Sequence, residues 1–193
     1  MARKVVVKSK VKKVKRKFPV EIKAPEVYNS ITLGKSNITD LKTFVGKTIK
    51  LNLMYVTKSV RNLNARIAFR VSEVESGVAK TNVLSYEQIP YYLNRFVKEG
   101  SDLVEDSFVC KSKDGLNVRV KPFIITKKNT TILIASAIRA ATIEIVEKDI
   151  GSRKAEEFVQ SVTSGRVQKT FRNELKKIFP LKAFEFKKVE VEY

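Results

Sequence analysis

Apolar residues that recur at every second position in four separate stretches constrain this chain most, because they demand a sheet with one buried face. In TIKLNLMYV that face is Ile49, Leu51, Leu53 and Tyr55; after a connection at 61–64, Ala65, Ile67, Phe69 and Val71 point inward while Arg66, Arg70 and Ser72 point out. Leu116, Val118 and Val120 oppose Asn117, Arg119 and Lys121 in the same way. The terminal FEFKKVEVEY places Phe184 and Phe186 on one face and Val189 and Val191 in line with them only through a bulge or bend. Asp114-Gly115 predicts a two-residue type I prime hairpin turn, and Pro122, which lacks a donor, predicts a bulge, an edge or a bend.

Helical signals fill the intervals. Ser85 followed by Gln88 reads as a capping box opening a helix with Ile89, Leu93, Phe96 and Val97 on its apolar side, stopped at Gly100. TTILIASAIRAATIEIVEKDI is β-branched yet carries Ile134, Ala137, Ile138, Ala141 and Ile145 at helical spacing, so its later part is read as helix. Ser152 would cap a helix containing Ala155, Phe158, Val159 and Val162; Gly165 separates it from another with Val167, Phe171, Leu175 and Ile178, ended by Pro180. Before Gly34, Pro19 and Pro25 favour an extended path. The expected class is α+β, an antiparallel sheet packed by helices, and 43% hydrophobic residues with 11 Phe and 6 Tyr supply its core.

Charge then limits the partner. The 39 Lys and Arg against 20 Asp and Glu leave +19, an excess that repels itself and is stabilised by a polyanion. Arg3, Lys4, Lys8, Lys10, Lys12, Lys13, Lys15, Arg16 and Lys17 put nine of these cations into residues 1–17 without an acidic residue. That segment reads as an RNA-binding extension that orders along phosphates, with a solubilising tail or a targeting signal as competing readings, and residues 18–193 read as one domain. No window approaches a membrane span and no apolar segment follows the basic start, so neither a membrane nor a secretory signal is expected. A single cysteine, Cys110, rules out an intrachain disulfide framework; it is read as a packing residue in a reducing compartment.

Enzyme chemistry finds little to work with. The chain has no His, which removes the commonest near-neutral base and every Ser-His or Cys-His pairing. Gly34-Lys35-Ser36 resembles the end of a phosphate loop, but the glycine required upstream is Asn29. Glu73 with Glu75, and Asp102 with Glu105 and Asp106, lack a distinctive ligand spacing and read as surface charges. No catalytic residue, metal ligand or cofactor is assigned.

The remaining cations recur in small clusters: Lys58 with Arg61, Arg66 with Arg70, Arg119 with Lys121, Lys127 with Lys128, Arg153, Arg166 with Lys169, and Arg172 with Lys176 and Lys177. Clusters scattered over tail, hairpin and C-terminal helices suit a ligand that wraps a large surface, and no aromatic RNP1 pattern or GXXG clamp points to base reading.

KFPVEIKAPEVYNSITLG, NARIAFRVSEV, KSKDGLNVRVKPFIITKK and SGRVQKTFRNELKKIFPLKAFEFKKVEVEY, in this order over residues 16–193, resemble the S-three-a family of archaeal and eukaryotic small-subunit ribosomal proteins. The resemblance implies a noncatalytic constituent of the cytoplasmic small ribosomal subunit with a β-rich, barrel-like body. It would sit on ribosomal RNA at the platform near the messenger exit, beside neighbouring small-subunit proteins and close to messenger RNA. By the same resemblance the arm from Arg3, the pair Arg119 and Lys121, and Gly165-Arg166 face RNA, and the compact C-terminus is of archaeal type. Lys17-Phe18-Pro19 stands where many relatives carry a tryptophan-tyrosine pair. A freestanding RNA-binding or ribosome-assembly module is the alternative.

Overall fold

Val78–Gln88 (β5) carries three neighbours. One edge pairs antiparallel with Ala65–Glu75 (β4) along nearly its whole length. The other edge is divided: Phe18–Lys23 (β1) runs parallel to it over Glu21–Lys23, and Leu181–Glu192 (β9) runs antiparallel to it over Lys188–Glu190. A computed structural model describes residues 17–193, and the rest of the sheet extends from this branch. Thr32–Ile38 (β2) adds to β1, Thr48–Asn52 (β3) adds to β4, and Asn117–Thr126 (β8) adds to β9. The far edge of β8 is shared by Phe108–Lys111 (β7) and Leu103–Glu105 (β6).

The expected antiparallel barrel is therefore corrected. The sheet is mixed and open: β1 and β5 are parallel, and among the described residues no ladder joins β2 or β3 to β6 or β7. Closure would need every strand to hold two neighbours around a ring. Here the branch at β5 directs strands outward, and a helical layer covers the inner face instead. Ile132–Ser152 (α3) lies against β7, Ala155–Thr163 (α4) against β5, and Arg166–Leu175 (α5) against β9.

Period two holds where it is strongest. Ala65, Ile67, Phe69 and Val71 are buried while Arg66 and Arg70 are exposed, and Val118 and Val120 are buried while Asn117 and Arg119 are exposed. In β9 the partner register skips Lys187, which brings Phe184 and Phe186 onto the buried side with Val189 and Val191. Pro122 faces that bulge on one side. On its other side it falls in the gap between β7, whose pairing reaches Val120, and β6, whose pairing starts at Phe123, so its missing donor costs no ladder bond.

Five local expectations change. The strand from Thr48 ends at Asn52, whose side chain accepts from the Met54 amide at 2.9 Å and caps the short helix Leu53–Thr57 (α1). Ser85 and Gln88 do not cap a helix: both lie in β5, where ladder bonds to β4 satisfy the backbone, and only Pro90–Asn94 (α2) is helical beyond it. The Asp-Gly turn is longer than two residues. Gly115 donates to the Ser112 carbonyl, Ser112 donates to the Leu116 carbonyl, and of the two turn residues only Gly115 has positive φ, +78°. Ser152 ends α3 instead of capping α4. The most buried residues of α3 are Ile138, Thr142, Val146 and Ile150; of the expected stripe, Ile134, Ala141 and Ile145 are half-buried against the core and Ala137 is exposed.

Helices and sheet meet on an aromatic cluster. Phe186 is fully buried, with edge-on partners Phe184, Phe171 and Phe158 at centroid distances of 5.3, 6.2 and 5.9 Å. Phe186→Ala is expected to lower unfolding free energy by about 3–5 kcal/mol, read as a urea midpoint shift at unchanged m-value. Beside this cluster, burial pushes the Glu185 carboxyl above its ordinary value, opposed by the Gln88 amide at 3.0 Å and by Arg172. A raised acid stabilises the fold fully below its unfolded pKa and loses that contribution as pH rises through the folded one. Glu185→Gln should accordingly remove a fall in stability that begins near pH 4.5, seen by comparing the pH dependence of the two urea midpoints.

Candidate nucleic-acid interface

The structure sorts the cationic clusters into three settings. In the first, Lys58, Arg61, Arg153 and Arg166 line one cleft of about 940 Å³, although they come from the loop after α1, the end of α3 and the start of α5. The loop is fixed from within: Asn62 Nδ2 donates to Thr57 Oγ1 at 2.8 Å and Asn52 Nδ2 donates to the Leu63 carbonyl at 2.8 Å. Arg153 is held across the floor, with Nη2 2.8 Å from Asp149 Oδ1 and Nη1 donating to Ser161 Oγ at 3.1 Å. Burial pushes the Asp149 carboxyl above its ordinary value, Arg153 pulls it back, and Glu174 adds to the rise. Arg166 opens α5 directly after Gly165, whose φ of +73° makes the reversal from α4 that a side-chain-bearing residue would adopt only under strain. The first amides of α5 point the same way as any helix start, toward an anion.

The second setting is one flank of α5. Val167, Phe171 and Leu175 are buried on the sheet side, so Lys169, Arg172 and Lys176, three and four residues apart, share the opposite flank. From Arg166 to Lys176 this is about 15 Å of helix. The Lys127 amide donates to the Pro180 carbonyl at 3.0 Å, which ties the Lys127-Lys128 loop to the chain segment that follows α5 and its Lys176 and Lys177. Asp102 secures that loop by accepting from the amide and the hydroxyl of Thr130. Among the described residues, Lys58, Arg61, Arg166, Lys169, Lys176, Lys177, Lys127 and Lys128 form no ion pair. Uncompensated cations gathered this way need a polyanion.

The third setting is the outer face of the sheet, where acids offset part of the charge. Register places Arg66, Glu87, Lys188 and Lys121 in one row across β4, β5, β9 and β8, and Ala68, Ser85, Glu190 and Arg119 in the next. Lys188 pairs with Glu190, and Arg119 lies 3.6 Å from Glu192. Arg70 stands in a further row, between Thr48 and Asn82. Lys17 is exposed just ahead of β1. Arg3, Lys4, Lys8, Lys10, Lys12, Lys13, Lys15 and Arg16 lie outside the described residues.

Reading the sequence alone missed Lys50, which faces outward opposite Ala68, and the neutral cleft wall of Asn29, Ser161 and Thr170. The Asp149-Arg153 spacing of four at the end of α3 was a usable signal. The neutral wall carried none, because serine and threonine at a cleft look like those at any turn.

The suspected carboxylates are otherwise engaged: Glu75 pairs with Lys80 at 2.8 Å and Glu105 with Lys187 at 3.0 Å. Lys35 lies in β2, paired with Glu21 at 2.9 Å, and forms no phosphate loop. Burial, with Glu147 nearby, pushes the Cys110 thiol up to about 11, as suits a packing residue. Among the described residues no group of three His, Cys, Asp or Glu is placed to hold a metal, and no helix is long and apolar enough to cross a membrane.

Residues 6–193 match the family model of the Ribosomal S3Ae family. The chain belongs to that family. Small ribosomal subunit protein eS1 of Haloarcula marismortui is 29% identical over 181 residues, covering 94% of this chain and 85% of the relative. The eS1 protein of Nanoarchaeum equitans is 29% identical over 167 residues, covering 86% and 84%, and that of Methanothrix thermoacetophila 25% over 191 residues, covering 99% and 90%. S3Ae membership thus extends along the whole described fold, and the family suggested by the ordered motifs is the one found.

The two kinds of cationic surface are separable by salt titration. Arg61→Ala and Arg166→Ala should each weaken RNA binding and reduce the slope of log K against log salt by about 0.7–1. Arg119→Ala, whose charge Glu192 already offsets, should change the slope by less.

Proposed function

We propose that this chain is a noncatalytic, RNA-packing constituent of the small ribosomal subunit in the cytoplasm. Family membership supports the small-subunit role and ribosomal RNA as partner. The observation that carries the reading to particular residues is the unpaired cationic surface running from the cleft along α5 to Lys127 and Lys128. Phosphate contacts of this kind position a protein on folded RNA without selecting bases. Residues 1–17 extend the same electrostatic surface as an arm along the RNA, and residues 18–193 act as the body that holds the cations apart. Within the particle, the reading places the chain at the platform near the messenger exit, next to other small-subunit proteins and within reach of messenger RNA. That placement rests on the family resemblance.

Sedimentation of native lysate tests the role: the chain should run near stoichiometry with small subunits, and recovery mainly in light fractions would favour a freestanding RNA-binding or assembly module. Removal of residues 1–17 should leave the thermal transition in place while lowering RNA affinity and its salt dependence. Loss of cooperative melting in the truncated chain would contradict the division between arm and body.

A further inference from the structure

We propose that Tyr55 and the apolar pocket beside it form a base-stacking site, which takes one unpaired base of an RNA strand whose phosphates lie in the adjoining cationic cleft. The inference rests on the RNA-packing reading above and deepens it, because phosphate contacts alone leave this pocket unexplained. Alternation along TIKLNLMYV would put Tyr55 on the buried side with Leu51 and Leu53. The strand gives way to α1 instead, and there Leu53 and Val56, three residues apart, take the core side. Tyr55 is thereby turned outward, with 69% of its surface exposed. The Asn52 cap at one end and the bond from Asn62 Nδ2 to Thr57 Oγ1 at the other hold this short helix in place.

Beside Tyr55 is a pocket of about 390 Å³, lined also by Ile31, Thr32, Leu33, Leu51 and Val56. The lining carries no charge, and the volume lies within the range of about 300–1,000 Å³ found for small-ligand sites. Ile31 and Val56 line the cationic cleft as well, so the two cavities share a wall. Lys58 follows α1 as its cap, with a φ of +51°, a left-handed conformation that glycine adopts at lower cost. A cation thus stands on the cleft side three residues from the exposed ring, and Arg61 lines the cleft from the loop beyond.

A nucleotide matches both parts of this arrangement. Its base offers a flat face to the ring and to the aliphatic lining. Its phosphate offers the negative charge for Lys58 and Arg61, which form no ion pair among the described residues. An apolar side chain from a protein would fill the pocket but leave those cations uncompensated. A paired base is held in its stack, so the site takes a bulged or single-stranded nucleotide. Stacking tolerates every base, and the preference it adds is for unpaired RNA without regard to sequence.

The test uses the full chain, fluorescence anisotropy and two labelled RNA hairpins that differ at one bulged nucleotide, adenosine in one and an abasic ribose phosphate in the other. Their phosphates are equal in number, so the comparison isolates the base. The adenosine hairpin should bind about fivefold to tenfold tighter, the lower end of what one stacked base contributes. Tyr55→Ala should bring that ratio to one, Tyr55→Phe should keep it because the ring and not the hydroxyl stacks, and Arg61→Gln should weaken both hairpins while keeping the ratio. Equal affinity of the unaltered chain for both hairpins overturns the proposal, as does a ratio that survives Tyr55→Ala. Should Tyr55→Ala fail to melt cooperatively, photocrosslinking in native small subunits decides, with p-benzoylphenylalanine in place of Tyr55. Adducts to RNA support the site, and adducts to a neighbouring protein overturn it and make the pocket a protein-docking surface. Salt-dependent binding of the abasic hairpin measures the phosphate contacts by themselves, so its persistence at a ratio of one would sink the stacking site and leave the RNA-packing reading standing.

Discussion

Phe171 packs edge-on against Phe184 at 5.8 Å and Phe186 at 6.2 Å, and this contact sets how α5 is turned. A helix has one apolar stripe to bury, and once Phe171 and Leu175 are seated on β9, Lys169 and Lys176 are left exposed while half-buried Arg172 acts on the carboxyl of Glu185. The same seating carries the start of α5, and with it Arg166, to the mouth of the cleft. Phe184 and Phe186 reach the buried side together with Val189 and Val191 only because β9 bulges at Lys187. One extra residue in a strand thus contributes to the placement of an electrostatic surface on the opposite side of a helix.

Charge on this molecule is divided by place. On the outer sheet face acids stand among the cations: Glu87 separates Arg66 from Lys188 and Lys121, and Glu190 and Glu192 flank Arg119, so the field there is offset in part. Along the cleft and α5, Asp149 is taken up by Arg153, and among the described residues Lys58, Arg61, Arg166, Lys169 and Lys176 form no ion pair. A net charge of +19 would disfavour a compact chain if it were spread evenly. Gathering several unpaired cations along the cleft and α5 lets a single polyanion relieve them together, which is the physical content of RNA packing.

Much of this was legible in the residue order. Alternation fixed the buried sides of β4, β8 and β9, including the face change at the end of β9, because a one-residue slip would have exposed several large apolar side chains. Helix periodicity located α4 and α5 by Ala155, Phe158, Val159, Val167 and Phe171. It failed where two propensities competed: Ser85 to Gln88 satisfies a capping pattern, yet strand pairing with β4 and β9 outweighs a local cap worth about 1 kcal/mol. Sheet closure was beyond reach too, since the parallel pairing of β1 with β5 joins residues more than fifty positions apart and leaves no local trace. For the site, the cations were visible but not their grouping. Arg119 and Arg166 look alike in a list of basic residues, and only the fold gives one of them Glu192 as a partner and the other an open cleft.

Lysine reactivity in native small subunits tests this division of charge most directly. With an acetylating reagent and mass spectrometry, Lys58, Lys169, Lys176 and Lys177 should be protected in the intact particle and become reactive when the RNA is digested. Lys35 and Lys80, paired with Glu21 and Glu75, should show no comparable dependence on RNA. Equal reactivity of the α5 and cleft lysines in the particle and in the free chain would contradict the account.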